Sequence, residues 1–423
     1  MEKKVVDIFD ISYEGAGVGK SNGQVVFVPK TLIGEKVEVE ILKTNKKFLI
    51  GKVSKLLQTS GLRIKPLCPY FDVCGGCDFQ HCDYETEIEL KKKILQKEFE
   101  KLGCRVDVDI VSAPNRFSYR NKIKFEVRDD KVGYFKAKSH EFFEVSKCPI
   151  ALERINGVLP IIKEFLKENN LKNVNSVYVK CLDESLGICF LFPKNIEKNI
   201  KNIKKLEKFD GFSVFFAYGN VLEDEKTKIY CVYGSEKLEK SFDGKTIKFD
   251  ISAFNQINDD VAKLLYDFVL EQIENERVIN AYSGQGVLTY LLSKKAKFVY
   301  GIEYQRSAHE CAENLIKDEN EYKIENVCGK VEDSLKPILQ RDKINSIVLD
   351  PARDGCKESV LDEILNSRIG KIVYVSCNFS TLVRDLKILQ EKYKILCCKI
   401  FDMFPCTANM ETVVIMERKG TFM

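Results

Sequence analysis

The sequence predicts a multidomain chain of mixed α+β and α/β class: an N-terminal OB-like β-barrel, a mixed central domain and a C-terminal Rossmann-like, doubly wound domain. Three observations carry this. The 423 residues exceed what one hydrophobic core organises. Residues 1–57 read as short β-rich segments between turns, and beyond residue 250 strand-like and helix-like runs alternate. The expected units are 1–57, 58–249 and 250–423.

In the first unit, "VVDIFDIS", "GQVVFVP" and "EKVEVEILKTNKKFLIGKVSKLL" are separated by Gly-rich or Pro-containing turns, and a small barrel is their economical packing. Lysines alternate with apolar residues in the last segment, which suits either a basic RNA-binding face or an ordinary solvated one. The second unit opens on a cysteine-rich loop, "CPYFDVCGGCDFQHC". Next, Ile88, Ile94, Leu95 and Phe99 share one face of a helix at about 84–102 that ends before Gly103 and is a candidate to pack on the C-terminal domain. Residues 117–240 mix β-like runs with the helix-like "ERINGVLPIIKEFLKENN". In the third unit, "DDVAKLLYDFVLEQI", "GVLTYLLSKKA", "SAHECAENLIKDE" and "ESVLDEILNS" read as helices, whereas "RVINAYS", "FVYGIEY", "SIVLDPAR" and "KIVYVSCN" read as strands. That alternation predicts parallel βαβ units.

Composition narrows the setting. No apolar run reaches the roughly 18 residues of a membrane span, and the N-terminus lacks a secretory core, so a cytoplasmic protein without a membrane partner is expected. In a reducing compartment the 16 cysteines are core residues, ligands or nucleophiles rather than disulfides. With 67 basic and 63 acidic residues the net charge is +4, so any RNA-binding surface must be local.

In an open parallel sheet, ligands bind at the carboxyl ends of strands. Four such ends carry chemistry: Tyr282 to Gly286, Glu303, Asp350 to Arg353, and Ser376 to Asn378. The turn "AYSGQG", with Gly284 and Gly286, is either a plain tight turn or a place where a ligand approaches the backbone. Glu303 ends the next strand, where a carboxylate accepts hydrogen bonds from ribose hydroxyls. Thr289 occupies the third glycine position of the dinucleotide fingerprint, which favours S-adenosylmethionine over NAD.

"SCN", "DPAR" one unit earlier and "FPCTANME" near the C-terminus resemble motifs of the RNA (uracil-5-)-methyltransferases. The N-terminal barrel resembles their TRAM domain. Cys68, Cys74 and Cys77, with Cys148 far downstream, resemble the 4Fe-4S ligand set of their 23S ribosomal RNA members. By spacing alone, a cluster, a zinc site and reduced core cysteines all remain open. The resemblance implies Cys377 as nucleophile, Glu411 as general base, and Gln256, Tyr282, Glu303 and Asp350 as S-adenosylmethionine contacts. It also implies a cluster of structural role that excludes Cys82. The sequence departs from the family pattern at Asn280, Phe379, Cys406 and Asn409.

The chemistry accounts for these residue types. Carbon 5 of uracil is a poor nucleophile, and a thiolate adding at carbon 6 makes it an enolate carbon. After methylation the carbon-5 proton must leave before the thiol is expelled, which a poised carboxylate accomplishes. The site is expected to lower the Cys377 pKa from the usual value of about 8.5. The target base has to leave its stack, and "NRFSYRNKIKF" interleaves aromatic and basic residues, as an RNA-gripping strand pair or an ordinary edge strand would.

A cysteine hydrolase is the first rival, but the only histidines are His81, His140 and His309, and a Cys/His pair is disfavoured. A non-catalytic RNA-binding protein is the second, although nucleophile and base are both intact. The barrel and cysteine set together resemble those of the ribosomal RNA members, which implies an enzyme acting on 23S ribosomal RNA, with transfer RNA as the alternative; a monomer is expected.

Overall fold

The computed structural model describes residues 2–103, 106–171, 173–193, 206–242, 244–319 and 322–420. Strands β1 (Lys3–Ile11), β2 (Ala16–Ser21), β3 (Gln24–Pro29), β4 (Lys36–Thr44) and β5 (Phe48–Gln58) form a closed barrel in the order β1-β2-β3-β5-β4. Their alternate residues, among them Val6, Val26, Val37 and Val39, fill its interior. Closure leaves no free sheet edge.

After the cysteine loop comes α1 (Tyr84–Lys101), whose N-cap Asp83 accepts the Thr86 N–H at 2.8 Å. β6 (Val108–Val111) follows. The central domain has β7 (Lys122–Arg128), β8 (Lys131–Phe135), β9 (Phe142–Glu144), α2 (Glu153–Glu168), β10 (Ser176–Leu182), β11 (Ser185–Phe192), β12 (Ser213–Tyr218) and β13 (Lys228–Tyr233). Its sheet runs β13-β12-β11-β10-β7-β8-β9, with α2 packed on it through Ile155, Leu159, Ile162 and Phe165. A hairpin of β14 (Leu238–Phe242) and β15 (Lys245–Phe249) leads out of it.

The C-terminal unit alternates α3 (Asp259–Glu271), β16 (Arg277–Ala281), α4 (Val287–Ser293), β17 (Phe298–Glu303), α5 (Arg306–Glu319), β18 (Ile324–Cys328), α6 (Val331–Arg341), β19 (Ser346–Leu349), α7 (Glu358–Asn366), β20 (Lys371–Ser376) and α8 (Phe379–Leu389). It closes with β21 (Tyr393–Phe401) and β22 (Glu411–Arg418). The sheet order is β18-β17-β16-β19-β20-β22-β21-β6. Strand order reverses between β16 and β19, which opens a crevice at their carboxyl ends. The continuous burial of β19 and β20 reflects helices on both faces.

One boundary differs from the sequence expectation. Val108–Val111, assigned above to the central unit, is the edge strand of the C-terminal sheet, with Val108 parallel to Cys398 and Ile110 to Ile400. Four residues carry too short a pattern to declare a partner sheet. α1 accompanies it, burying Ile94, Leu95 and Phe99 in the same core as Tyr374 and Val414.

A buried ionic knot joins α1 to the loop between β21 and β22. Lys91, fully buried, donates to Glu87 Oε1 at 2.8 Å and Asp402 Oδ1 at 2.7 Å. Arg116 donates to Glu87 Oε2 at 3.0 Å, and the Tyr84 hydroxyl donates to Asp402 Oδ2 at 2.7 Å. Burial pushes the Lys91 ammonium down, but the two carboxylates outweigh it and hold Lys91 at about 12. Lys91→Met is expected to cost about 3–5 kcal/mol of unfolding free energy, because two carboxylates stay buried without their cation. A loss below about 1 kcal/mol in denaturant titration would show that Arg116 and Tyr84 suffice.

Candidate active site

Two strand registers assemble the site. β20 pairs with the antiparallel β22 so that Ser376 faces Thr412, and the next residue of each, Cys377 and Glu411, are near enough for the carboxylate to act on the thiol. β19 runs parallel to β20 with Leu349 against Tyr374, which brings Asp350 to the same end of the sheet. Three of the residues singled out from the sequence therefore converge.

Electrostatics at this end depart from expectation. The Cys377 thiol is not lowered: burial, then the Glu411 and Asp350 carboxylates, push it up to about 11, with Arg353 opposing. Burial also pushes Asp350 up to about 7. Burial and then Asp350 raise Glu411 well above the usual carboxylate range, again against Arg353. Ionising the buried Glu411 and the half-buried Asp350 together is unfavourable, which is why both carboxyls are raised. No histidine is among the groups that shift Cys377.

Arg353 was not singled out as a site residue, although "DPAR" contained the signal. Its loop is clamped by the first turns of α8. Asn378 Nδ2 donates to the Arg353 carbonyl at 2.7 Å and the Thr381 hydroxyl to the same oxygen at 3.1 Å. The fully buried Asp385 accepts from the Cys356 N–H at 2.8 Å and the Tyr374 hydroxyl at 2.6 Å. Asn378 is also the α8 N-cap, accepting the Ser380 N–H. Phe379 therefore takes the first helical position, where a proline is equally at home, and packs into the core.

The glycine turn lies at the β16 end of the crevice. Tyr282, Gly284 and Gly286 have φ of 62°, 56° and 83°, and a Cβ on Gly286 would come within 2.6 Å of Ala312 Cβ. A tyrosine in the left-handed region costs about 1–3 kcal/mol, which marks a backbone held for a purpose. Glu303 braces the turn, accepting the Gly284 N–H at 2.9 Å and the Gln305 N–H at 2.6 Å. Tyr282 and Glu303 line a cavity of about 240 Å3 together with Ile302, Tyr304, Val331 and Lys357. The amide of buried Gln285 has no hydrogen-bond partner on either atom, so polar capacity remains at the turn. The residues thus fit an adenosyl ligand. Gln256 lies outside this cavity, its carbonyl held by Asn121 Nδ2 at 2.9 Å. Asn280 donates to the Thr289 hydroxyl at 2.8 Å, so the departure on the strand and the missing third glycine form one buried bond.

Cys68, Cys74, Cys77 and Cys148 line a second cavity, of about 310 Å3, with Tyr70, Phe71 and Tyr134 on its walls. Gln80 Nε2 donates to Cys77 Sγ at 3.2 Å and the Gly76 N–H to Cys74 Sγ at 3.4 Å. Burial pushes the thiols of Cys68, Cys74 and Cys77 up. Among the described residues, no three His, Cys, Asp or Glu side chains converge tightly enough to hold a single ion. Cys82 does not line the cavity; its thiol donates to the Phe79 carbonyl at 3.2 Å. Cys406, at φ 69°, is buried beside Cys77 and Tyr119, whereas Asn409 is exposed. No helix among the described residues is long and apolar enough to cross a membrane.

Comparison with known proteins is consistent across the chain. The sequence model of the tRNA (uracil-5-)-methyltransferase family matches residues 83–419, and that of the TRAM domain matches residues 2–54. An uncharacterized RNA methyltransferase of Caldanaerobacter subterraneus is 33% identical over 447 residues, spanning 99% of this chain and 98% of that protein. One from Fusobacterium nucleatum is 32% identical over 453 residues, spanning 98% and 97%. The Pyrococcus abyssi tRNA (uracil-54, C5)-methyltransferase, solved with S-adenosyl-L-homocysteine, superposes with a TM-score of 0.79 at 24% identity, covering 98% of this chain and 100% of that one. That likeness concerns the fold.

A raised thiol pKa has a direct readout. In ligand-free protein the thiolate fraction of Cys377 rises about tenfold per pH unit up to about 11, so alkylation by iodoacetamide, followed by peptide mass mapping, should be slow at neutral pH and climb with that slope. A plateau reached near pH ~8 would mean that Arg353, not the carboxylates, governs the thiol.

Proposed function

The chain belongs to the tRNA (uracil-5-)-methyltransferase family, and from that premise we propose that it methylates carbon 5 of a uridine in 23S ribosomal RNA through a covalent bond from Cys377 to carbon 6. The observation that carries the reading is the register that sets Cys377 beside Glu411 at the end of β20. S-adenosylmethionine, when bound, supplies an electrophilic methyl group on a sulfonium. Tyr282 and Glu303, on the walls of the crevice cavity, would hold it there; Gly284 and Gly286 of the adjoining turn, with Asp350 and Gln256, which do not line that cavity, are proposed as further contacts. Cys377 adds as thiolate to carbon 6 and makes carbon 5 an enolate carbon that takes the methyl group. Glu411 then removes the carbon-5 proton, and the electron pair left behind expels the Cys377 thiolate and restores the ring double bond. Burial raises Glu411 above the usual carboxylate range, so its ionised form, the one that takes the proton, is a stronger base but a smaller share of the resting site.

Cys68, Cys74, Cys77 and Cys148 are proposed to hold a 4Fe-4S cluster of structural role. Their thiols ring a cavity without converging on one point, which suits a cluster better than a tetrahedral zinc ion. The combination of barrel and cysteine set favours ribosomal RNA. Transfer RNA is the second reading, favoured by the Pyrococcus abyssi enzyme, whose whole chain aligns with this one.

Three experiments test these readings. Labelled S-adenosylmethionine with unmodified 23S transcript is expected to yield 5-methyluridine, and with transfer RNA transcript none; the reverse pattern would transfer the assignment. Cys377→Ala should give no product, and Glu411→Gln should trap a protein–RNA adduct and slow release by about 100-fold or more. Full turnover by Cys377→Ala would remove the covalent mechanism. Anaerobically purified protein should be brown and carry iron and acid-labile sulfide; a colourless, zinc-loaded preparation would reverse the cluster assignment.

A further inference from the structure

The loop from Asp402 to Met410 carries Glu411 at its end, and its middle is fastened to the backbone immediately after Cys77. The Cys406 carbonyl accepts two N–H groups, from Asp78 at 2.8 Å and Phe79 at 2.9 Å. The Asp78 carboxylate reaches back and accepts the Ala408 N–H at 2.9 Å. Ala408 stands three residues before Glu411 in the sequence. The Cys77 side chain packs against Cys406 and Tyr119, and the Tyr119 hydroxyl donates to the Pro405 carbonyl at 2.9 Å. On the far side the N-terminal barrel closes over the contact: a Cβ on Gly15 would meet Ala408 Cβ and Asp78 Cβ, each at 3.0 Å. Cys406 has a left-handed φ of 69°, a conformation a cysteine keeps only when its surroundings hold it.

We propose that Asp78 is a positioning residue for Glu411: with the Phe79 N–H it latches the loop to Cys77, so that filling the cysteine site sets the general base. This rests on Glu411 as the proton acceptor. An empty site frees Cys77, and with it Asp78 and Phe79, while Cys377 and the adenosyl cavity stay in place on strand ends of the sheet. The step that suffers is proton removal after methyl transfer. The latch therefore makes the cysteine site a control on product release rather than on methyl transfer.

Hydrogen–deuterium exchange of residues 403–410 and single-turnover methylation test this on protein reconstituted with iron and sulfide, on the same protein left without them, and on Asp78→Ala and Asp78→Asn. Asp78→Ala is expected to speed exchange in the loop about tenfold, as loss of a hydrogen bond to a charged group implies. It should accumulate the covalent RNA adduct with KM for S-adenosylmethionine unchanged. Asp78→Asn keeps an oxygen for the Ala408 N–H and should restore both readouts. Wild type without iron should show the same faster exchange, and it carries the test alone if Asp78→Ala does not fold. Unchanged exchange in the iron-free protein overturns the proposal. So does a loosened loop without adduct, provided Glu411→Gln does trap one. If Glu411→Gln traps none, the general-base reading fails by itself, and the exchange data still decide whether the latch exists.

Discussion

β22 enters the C-terminal sheet antiparallel to β20 and β21, and the site depends on the register of that entry. Ser376 against Thr412 places Cys377 beside Glu411, and Phe401 against Glu411 ties the other flank. A slip of one residue would turn Glu411 to the opposite face of the sheet. Register is secured because Val413, Val414, Ile415 and Met416 are buried on alternating faces, in two separate cores. Each core would have to be emptied for the strand to slide. Hydrophobic packing thus fixes the strand register that brings Cys377 and Glu411 to the same end of the sheet.

Charge burial then sets the reactivity. Burial first, and then the Glu411 and Asp350 carboxylates, favour the protonated Cys377 thiol, and a protonated thiol resists alkylation and oxidation, which proceed through the thiolate. Burial, and then Asp350, raise the Glu411 carboxyl as well. Further out, the Lys91 knot and the α8 clamp hold the two loops that carry these groups, one through Asp402 and the other through Arg353. The site is built on strand ends and held by helices that precede and follow it in the chain.

Much of this was legible in the sequence because it is local. The alternation of β-runs and amphipathic helices after residue 250 reports parallel βαβ units, and the glycine turn and "SCN" each lie where a strand gives way to a helix. Asp83 and Asn378 cap the helices they precede. Val108–Val111 was misassigned because four residues do not declare their partner, and Arg353 was passed over, although "DPAR" set it at a strand end, because its charge acts on groups that other strands bring to it. The left-handed Tyr282 and Cys406 were invisible for the same reason: neither residue type favours that conformation, and only neighbours impose it.

The sequence by itself determined the fold classes, the barrel and doubly wound units, and the residue types at the strand ends, since periodicity and turn chemistry act over a few residues. Only the tertiary structure decided that the thiol pKa rises rather than falls, that α1 and β6 serve the C-terminal sheet, and that the cysteine loop touches the loop of Glu411. Desolvation and charge proximity depend on which distant segments are packed together, and one strand's pattern does not contain its neighbour's.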